Sequence, residues 1–262
     1  MRLRDFLKAT PVMSFALISV LAKPLPPVLN RPDYVAGVTS ADPIERRRPV
    51  LPVAPALVSQ DKVLESVYYN ALAILSTNNR CSDFFGGPSA SIEVFSQLMG
   101  KVRKDYYAPS VAMRMNGITV NAEDAQTRAR YRLFTKVSIN ANGAFYRRAN
   151  FRSEQTVPGV GSFRPNTREV RLLILLHELG HMIRGLDGNW LLPDDGGNES
   201  LSRDNSRKIE KVCGDQIESP SEGEAIRNLA MRNLATRNQV AETVALENNN
   251  PDRSVIERAG DH

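Results

Sequence analysis

The chain has 262 residues, of which 42% are hydrophobic and 24% are charged. This composition is close to that of soluble globular proteins and excludes collagen-like sequence, wholesale disorder and a multi-span membrane protein. With 34 Lys and Arg against 29 Asp and Glu, the net charge is +5, which is too small to indicate a nucleic-acid partner. Two cysteines cannot form a disulfide-dense scaffold or a four-cysteine zinc site.

The N-terminus has the three-part pattern of a secretory signal peptide. Arg2, Arg4 and Lys8 precede an apolar run over 12–22, which ends in small residues. The run is too short to cross a membrane as a helix, since that takes about 20 residues. We expect cleavage after Ala22 (signal peptide 1–22), a secreted or periplasmic protein and no stable membrane span after cleavage. The alternative is an amphipathic or buried N-terminal helix.

Proline dominates the next stretch, over 23–57. Repeated proline prevents both helix formation and strand pairing, which predicts a linker or pro-segment, or else a stretch packed along the domain surface. Apolar residues at helical spacing then predict helices over 60–78 and 89–102. Residues 117–121 are predicted to form a short strand.

A longer strand is predicted over 131–139, where apolar and polar side chains alternate. One face is expected to be buried, and the polar face contains Arg132 and Ser138. The Asn-Gly pair at 142–143 predicts a hairpin whose second strand ends near Tyr146.

The C-terminal half is predicted to begin with a helix over 167–184. A glycine-rich polar loop over 186–206 follows, and a short helix around 204–213 returns the chain to the domain. The polar tail, 219–262, contains an imperfect five-residue repeat that forms no continuous helical stripe. It is predicted to be loosely helical or disordered.

The predicted helix over 167–184 contains the pattern H-E-x-x-H. His177 and His181 are four residues apart and therefore share a helix face, where both rings can bind one zinc ion. Glu178 is offset from the metal but close enough to act as a general base toward water. A random chain of this length contains the pattern in well under ~1% of cases. The alternative is a core helix with two incidental histidines, but burying these groups without a ligand is costly.

At these residues the chain resembles the zincin metallopeptidases, whose active-site helix has the same pattern. The resemblance is local and covers the helix at 167–185. It implies that His177 and His181 bind one Zn²⁺ ion and that Glu178 is the catalytic base.

The resemblance also implies the fold, an α+β zincin-like domain over 58–218. In such a domain the active-site helix packs on a small mixed or antiparallel sheet, here with flexible N- and C-terminal segments. An edge strand of the sheet pairs with an extended peptide or protein substrate. The candidates for that edge are the strand at 131–140 and the hairpin ending near Tyr146.

The third zinc ligand is expected to be a carboxylate, because the remaining histidine, His262, is remote in the sequence. The zincin branch with H-E-x-x-H-x-x-G-x-x-H/D implies Asp187, although the required glycine is replaced by Arg184. Zincins with a glutamate ligand imply Glu199 or Glu210.

A closer resemblance is to uncharacterised secreted bacterial proteins in which a His-Glu-Leu-Gly-His helix precedes a Pro-x-Asp loop and a Ser-x-x-Asn…Cys helix. The matching segments here are 192–197 and 202–213, and they imply Asp195 as the ligand. We rank Asp195 first, Asp187 second and Glu210 third. For each acid the alternative is a solvated loop or helix-capping residue.

An oxyanion-stabilising group is also needed, and no tyrosine follows residue 146. Arg203 or Arg207 could supply a cation, with a solvated surface arginine as the alternative. Cys81 and Cys213 are expected to form a disulfide, because paired cysteines are usual in exported chains. Zinc ligation by Cys213 is the minority alternative.

Together these features predict an exported zinc-dependent metallopeptidase that cleaves peptide bonds with Glu178 as general base. One alternative is a non-catalytic, metal-stabilised secreted binding protein that retains the helix. The other is a secreted structural protein in which the pattern is incidental.

Overall fold

The computed structural model describes residues 51–123, 130–149 and 156–248. The signal peptide predicted at 1–22 and most of the proline-rich stretch predicted at 23–57 lie outside these residues. Within the described ranges the chain has a mixed α+β fold of seven helices and three strands. The helices are α1 (Ala56–Ser59), α2 (Lys62–Leu75), α3 (Arg80–Phe84), α4 (Pro88–Lys101), α5 (Arg168–Met182), α6 (Glu199–Glu218) and α7 (Gly223–Asn248), and the strands are β1 (Val102–Asp105), β2 (Met113–Glu123) and β3 (Arg130–Asn140).

The sheet is small and mixed, with β3 in the centre. β3 runs parallel to β1 over 137–140 and antiparallel to β2 along most of its length. The strand predicted at 131–139 is therefore confirmed, but its assignment as a substrate-pairing edge strand is wrong. The strand predicted at 117–121 is the middle of the longer β2.

The hairpin predicted after β3 is wrong, because the chain forms turns there and the antiparallel partner of β3 precedes it. The side chain of Asn140 accepts hydrogen bonds from the backbone N–H groups of Tyr107 and Asn142, both at 2.9 Å. Its amide nitrogen donates to the carbonyls of Ala108 and Val111. These bonds attach the turn to the segment between β1 and β2, so the Asn-Gly pair closes no hairpin.

Local capping explains where the helices begin. Asp61 caps α2 by accepting hydrogen bonds from the N–H groups of Val63 and Leu64, which places the predicted 60–78 helix at Lys62–Leu75. The prediction at 89–102 corresponds to α4. The short helix predicted at 204–213 is wrong in length, since Asn198 caps α6 and the helix has 20 residues.

Both faces of β3 are partly buried, which corrects the expected division into an apolar and a polar face. Arg132 is 2% exposed and Ser138 is fully buried, whereas Lys136 lies in solvent. The core itself is formed by α2, α4 and α5 against the sheet, with α6 covering α5. Because α5 is enclosed in this way, side chains on several of its faces are shielded from water.

The predicted disulfide between Cys81 and Cys213 is confirmed, and it joins α3 to α6. A disulfide is compatible with an extracellular or periplasmic location. In the parts of the chain described here, no helix is both long and apolar enough to cross a membrane.

The segment predicted as a polar tail contains α7. The start of this helix packs on α2, where Ser221 hydrogen-bonds to Asn70 and Gly223 is buried. Farther along, the apolar side chains of Val240 and Val244 are exposed.

Candidate metal centre

Helix α5 places both predicted histidines in the protein interior. The side chain of Thr167 caps its first turn by accepting a hydrogen bond from the N–H of Val170 at 3.2 Å. The apolar residues 172–176 are buried on all sides of the helix, and His177 and His181, which follow them, are only 5% and 4% exposed. The two imidazoles are therefore fixed by packing rather than free in solvent.

Three ligand atoms converge at the end of this helix. The Nε2 atoms of His177 and His181 are 3.0 Å apart. The Oδ2 atom of Asp195 lies 3.3 Å from Nε2 of His177 and 3.7 Å from Nε2 of His181. In a tetrahedral zinc site with bonds of about 2.0–2.1 Å, ligand atoms are separated by about 3.3–3.4 Å. The three distances span that value, so these residues could hold a metal ion.

The other carboxylates considered from the sequence lie elsewhere. Asp187 is exposed in the turn after α5, where it accepts hydrogen bonds from the backbone and side chain of Asn189. Glu210 accepts hydrogen bonds from the backbone and hydroxyl of Ser162. Glu199 is exposed in the first turn of α6. Among the described residues, Asp195 is the acid that the fold brings to both histidines.

The loop that carries Asp195 is attached directly to α5. The N–H of Leu192 donates to the carbonyl of Gly180 at 3.0 Å, and the Leu192 side chain is fully buried. A Cβ atom on Gly180 would lie 2.7 Å from Leu192, so this close approach requires glycine. From the other side, Asn205 of α6 donates to the carbonyl of Pro193 at 3.0 Å.

Arg132 also holds this loop, and the sequence prediction missed its role. Its Nε donates to the carbonyl of His181 at 2.7 Å, and its guanidinium forms two hydrogen bonds with the carboxylate of Asp194. The guanidinium also lies 4.3 Å from the centre of the Trp190 ring. Arg132 thus joins the ligand turn of α5 to the residue next to Asp195.

Two serines of α6 lie next to the candidate metal ligands. The hydroxyl of Ser206 lies 3.0 Å from Nδ1 of His177, and the side chain of Ser202 interacts with the carboxylate of Asp195. By contrast, Nδ1 of His181 is buried and makes no well-formed hydrogen bond, although the backbone of Leu192 helps to raise the pKa of this ring. The two histidines therefore differ in how firmly their rings are oriented.

The site favours an ionised Asp195 and a basic Glu178. Burial opposes the charge of Asp195, but hydrogen bonds from His177, His181 and Ser202 hold its pKa well below the usual range. For Glu178, burial raises the pKa above its ordinary value, and the nearby histidines only partly oppose this effect. A carboxylate with a raised pKa is the better proton acceptor.

The pKa of His181 is raised as well. Burial alone would lower it, but the hydrogen bond to Asp195 and the charge of Glu178 have the larger combined effect. A cation at the centre would replace the proton that these two acids attract to the imidazole. The negative surroundings therefore suit a divalent cation.

Arg203 and Arg207, the arginines considered as oxyanion stabilisers, are on the solvent side of α6. Each is paired with an acid of the same helix, Arg203 with Glu199 at 3.9 Å and Arg207 with Asp204 at 3.1 Å. The structure places neither of them in the ligand cluster.

Comparison with known proteins does not assign the chain to a family. The sequence and the fold match no family model, no curated protein and no solved structure. Its chemistry is therefore inferred from the site residues.

Proposed function

We propose that this protein is an exported, zinc-dependent metallopeptidase with a zincin-like active-site helix. The observation that carries the proposal is the convergence of Nε2 of His177, Nε2 of His181 and Oδ2 of Asp195 within 3.7 Å. Three protein ligands of this kind leave the fourth position of a tetrahedral ion open, which is typical of catalytic rather than structural zinc sites.

In this proposal, one set of residues binds the metal ion and another residue transfers the proton. His177, His181 and Asp195 would hold the ion, which supplies a Lewis acid that polarises the scissile carbonyl and acidifies a water molecule. Glu178 accepts the proton from water and delivers it to the leaving amine. Its half-buried position and raised pKa support this role, because they make the carboxylate more basic than one in water.

Export is part of the proposal. The disulfide between Cys81 and Cys213 supports it, since such bonds persist in oxidising compartments. Determining the N-terminal sequence of the secreted protein tests it directly. A mature start near residue 23 fits signal cleavage alone, a start near residue 58 fits removal of a pro-segment as well, and an intact N-terminus contradicts export through a cleaved signal.

A second candidate is a metal-stabilised binding protein without catalytic activity. The positions of Arg203 and Arg207 favour it, because both are turned to solvent and paired with acids of α6. A peptidase needs a group that stabilises the developing oxyanion. Glu178→Gln separates the two candidates, because a peptidase loses turnover, whereas a binding protein keeps its ligand affinity.

Metal content is measured on the purified protein and on variants of each candidate ligand. We expect about one zinc per wild-type chain and greatly reduced zinc after His177→Ala or Asp195→Ala. Asp187→Ala and Glu210→Ala are matched controls, since both remove a carboxylate that lies outside the cluster, and both should bind zinc normally. Wild-type protein that binds no zinc after loading would refute the proposal.

Activity is measured as cleavage of an unfolded, fluorescently labelled protein. Glu178→Gln should keep its zinc and lose about 10²–10⁴-fold in rate, the usual contribution of a general base. Zinc binding without cleavage by the wild-type protein would favour the binding protein instead.

A further inference from the structure

We infer that α6 is a positioning helix for the metal centre, and that Ser206 and Ser202 orient the ligands His177 and Asp195. This inference rests on the proposed metal site and concerns residues outside the H-E-x-x-H pattern. It assigns to the two serines a role in metal affinity rather than in contact with substrate.

In the metal-bound state, the contact between Ser206 and His177 would satisfy the ring nitrogen that does not bind the metal. Nε2 of His177 faces the other two ligand atoms, so a metal must bind there through its lone pair. The ring proton then resides on Nδ1, and this N–H requires an acceptor because the ring is buried. The hydroxyl of Ser206, which is itself buried and 3.0 Å away, is that acceptor.

Ser202 acts in the same way on the carboxylate ligand. It lies one helical turn before Ser206, so both serines face the centre from the same side of α6. The side chain of Ser202 stabilises the carboxylate of Asp195 from the side of α6, while Oδ2 of Asp195 faces the two histidines. Asn205, between the two serines in sequence, fixes the backbone of Pro193.

α6 has the rigidity that such a role requires. Its inward face continues from Ser206 to the buried residues Ile209, Cys213 and Ile217. The disulfide at Cys213 joins this face to α3. The hydroxyls of the two serines are therefore held by core packing and by a covalent bond rather than by loop contacts.

His181 provides an internal comparison. Its Nδ1 is buried and makes no well-formed hydrogen bond, although the backbone of Leu192 helps to raise the pKa of the ring. His177 is thus the histidine whose ring orientation depends on a replaceable side chain. Removal of the Ser206 hydroxyl should release one ligand ring without altering the other.

The test compares Ser206→Ala and Ser202→Ala with wild-type protein by zinc titration against a competing chelator. We expect each to lose about 10–100-fold in zinc affinity, as is typical when a group that orients a ligand is removed. Ser200→Ala is the matched control, because Ser200 is exposed in the first turn of the same helix. Ser206→Thr retains the hydroxyl and should recover most of the affinity.

A second readout separates orientation from general destabilisation. Proton NMR of the zinc-loaded protein should show a hydrogen-bonded His177 Nδ1–H signal in the wild type, and this signal should shift upfield in Ser206→Ala, where its acceptor is removed. If the wild type binds zinc and Ser206→Ala has an unchanged zinc affinity and an unchanged Nδ1–H signal, this inference is overturned and the metal centre stands. Wild-type protein that binds no zinc would instead overturn the proposed function.

Discussion

Gly180 lies where α5 touches the loop that carries Asp195, and the substitution Gly180→Ala tests that contact. An added Cβ would be 2.7 Å from both Cγ and Cδ1 of Leu192. Carbon atoms in van der Waals contact are about 3.5–4.0 Å apart, so Leu192 must move by about 1 Å. Its side chain is fully buried and its N–H is bonded to the carbonyl of Gly180, so the whole loop must move with it.

The expected loss of stability is small, whereas the expected loss of metal affinity is large. Overpacking costs about 1–3 kcal/mol, and replacement of a helical glycine by alanine returns up to about 1 kcal/mol. The free energy of unfolding of the metal-free protein should therefore fall by about 0–2 kcal/mol. Metal sites tolerate distance errors of only about 0.2 Å, so a loop displaced by about 1 Å no longer presents Asp195 as a ligand.

The assay pairs urea denaturation of the metal-free protein with zinc titration against a chelator. Gly180→Ala should bind zinc as weakly as Asp195→Ala does. Gly214→Ala is the matched control, because Gly214 is also helical but has no atom within 4 Å of the added Cβ. The control should bind zinc normally and gain up to about 1 kcal/mol in stability. If Gly180→Ala binds zinc as tightly as the control, the loop is not held by this contact.

Two further predictions concern the rest of the fold. Burial opposes the charge of Asp61, but hydrogen bonds from Lys104, the start of α2 and Tyr146 lower its pKa below the usual 3.8. Because the pKa of Asp61 is lower in the folded than in the unfolded protein, its ionisation stabilises the folded protein at pH values above the unfolded-state pKa. This stabilisation is lost as the pH falls through the folded-state pKa. Asp61→Asn should therefore lower the free energy of unfolding by about 1–2 kcal/mol at pH 7, and urea denaturation should show the difference shrinking below pH 4. Reduction of the disulfide between Cys81 and Cys213, 132 residues apart, should cost about 3–5 kcal/mol in the same assay, and a loss below about 1 kcal/mol would contradict this estimate.

The helices and the two histidines were predictable because their signals are local. The 3.6-residue period predicts α2, α4 and α5 within a few residues of their ends. The spacing of His177 and His181 depends only on the geometry of one helix. A resemblance in its loop ranks Asp195 first among the acids, and the structure brings it to the two rings.

The partners of β3 could not be predicted, because strand pairing joins distant segments. β1 aligns with residues 137–140 only after α4 has returned the chain to the sheet. The Asn-Gly pair at 142–143 predicts a hairpin that does not form. Just before this pair, the side chain of Asn140 donates hydrogen bonds to the carbonyls of Ala108 and Val111, which hold the turn against a different segment. No local pattern reveals those acceptors.

Arg132 illustrates the same limit at the candidate site. Strict alternation along the strand assigns it to a polar face, yet it is buried against His181, Asp194 and Trp190. These partners are more than 45 positions later in the chain. Burial of an arginine is costly unless its N–H groups find hydrogen-bond acceptors. Those acceptors come together only in the folded structure, so the sequence alone does not reveal them.

The candidate centre combines two parts of different origin. Its pair of imidazoles is built into an enclosed helix, whereas its carboxylate comes from an irregular loop fastened by Leu192, Pro193 and Asp194. The third candidate ligand can therefore be replaced without changing the helix that carries the two histidines. A different donor at position 195 could retune the preference among metals while the scaffold beneath it stays untouched.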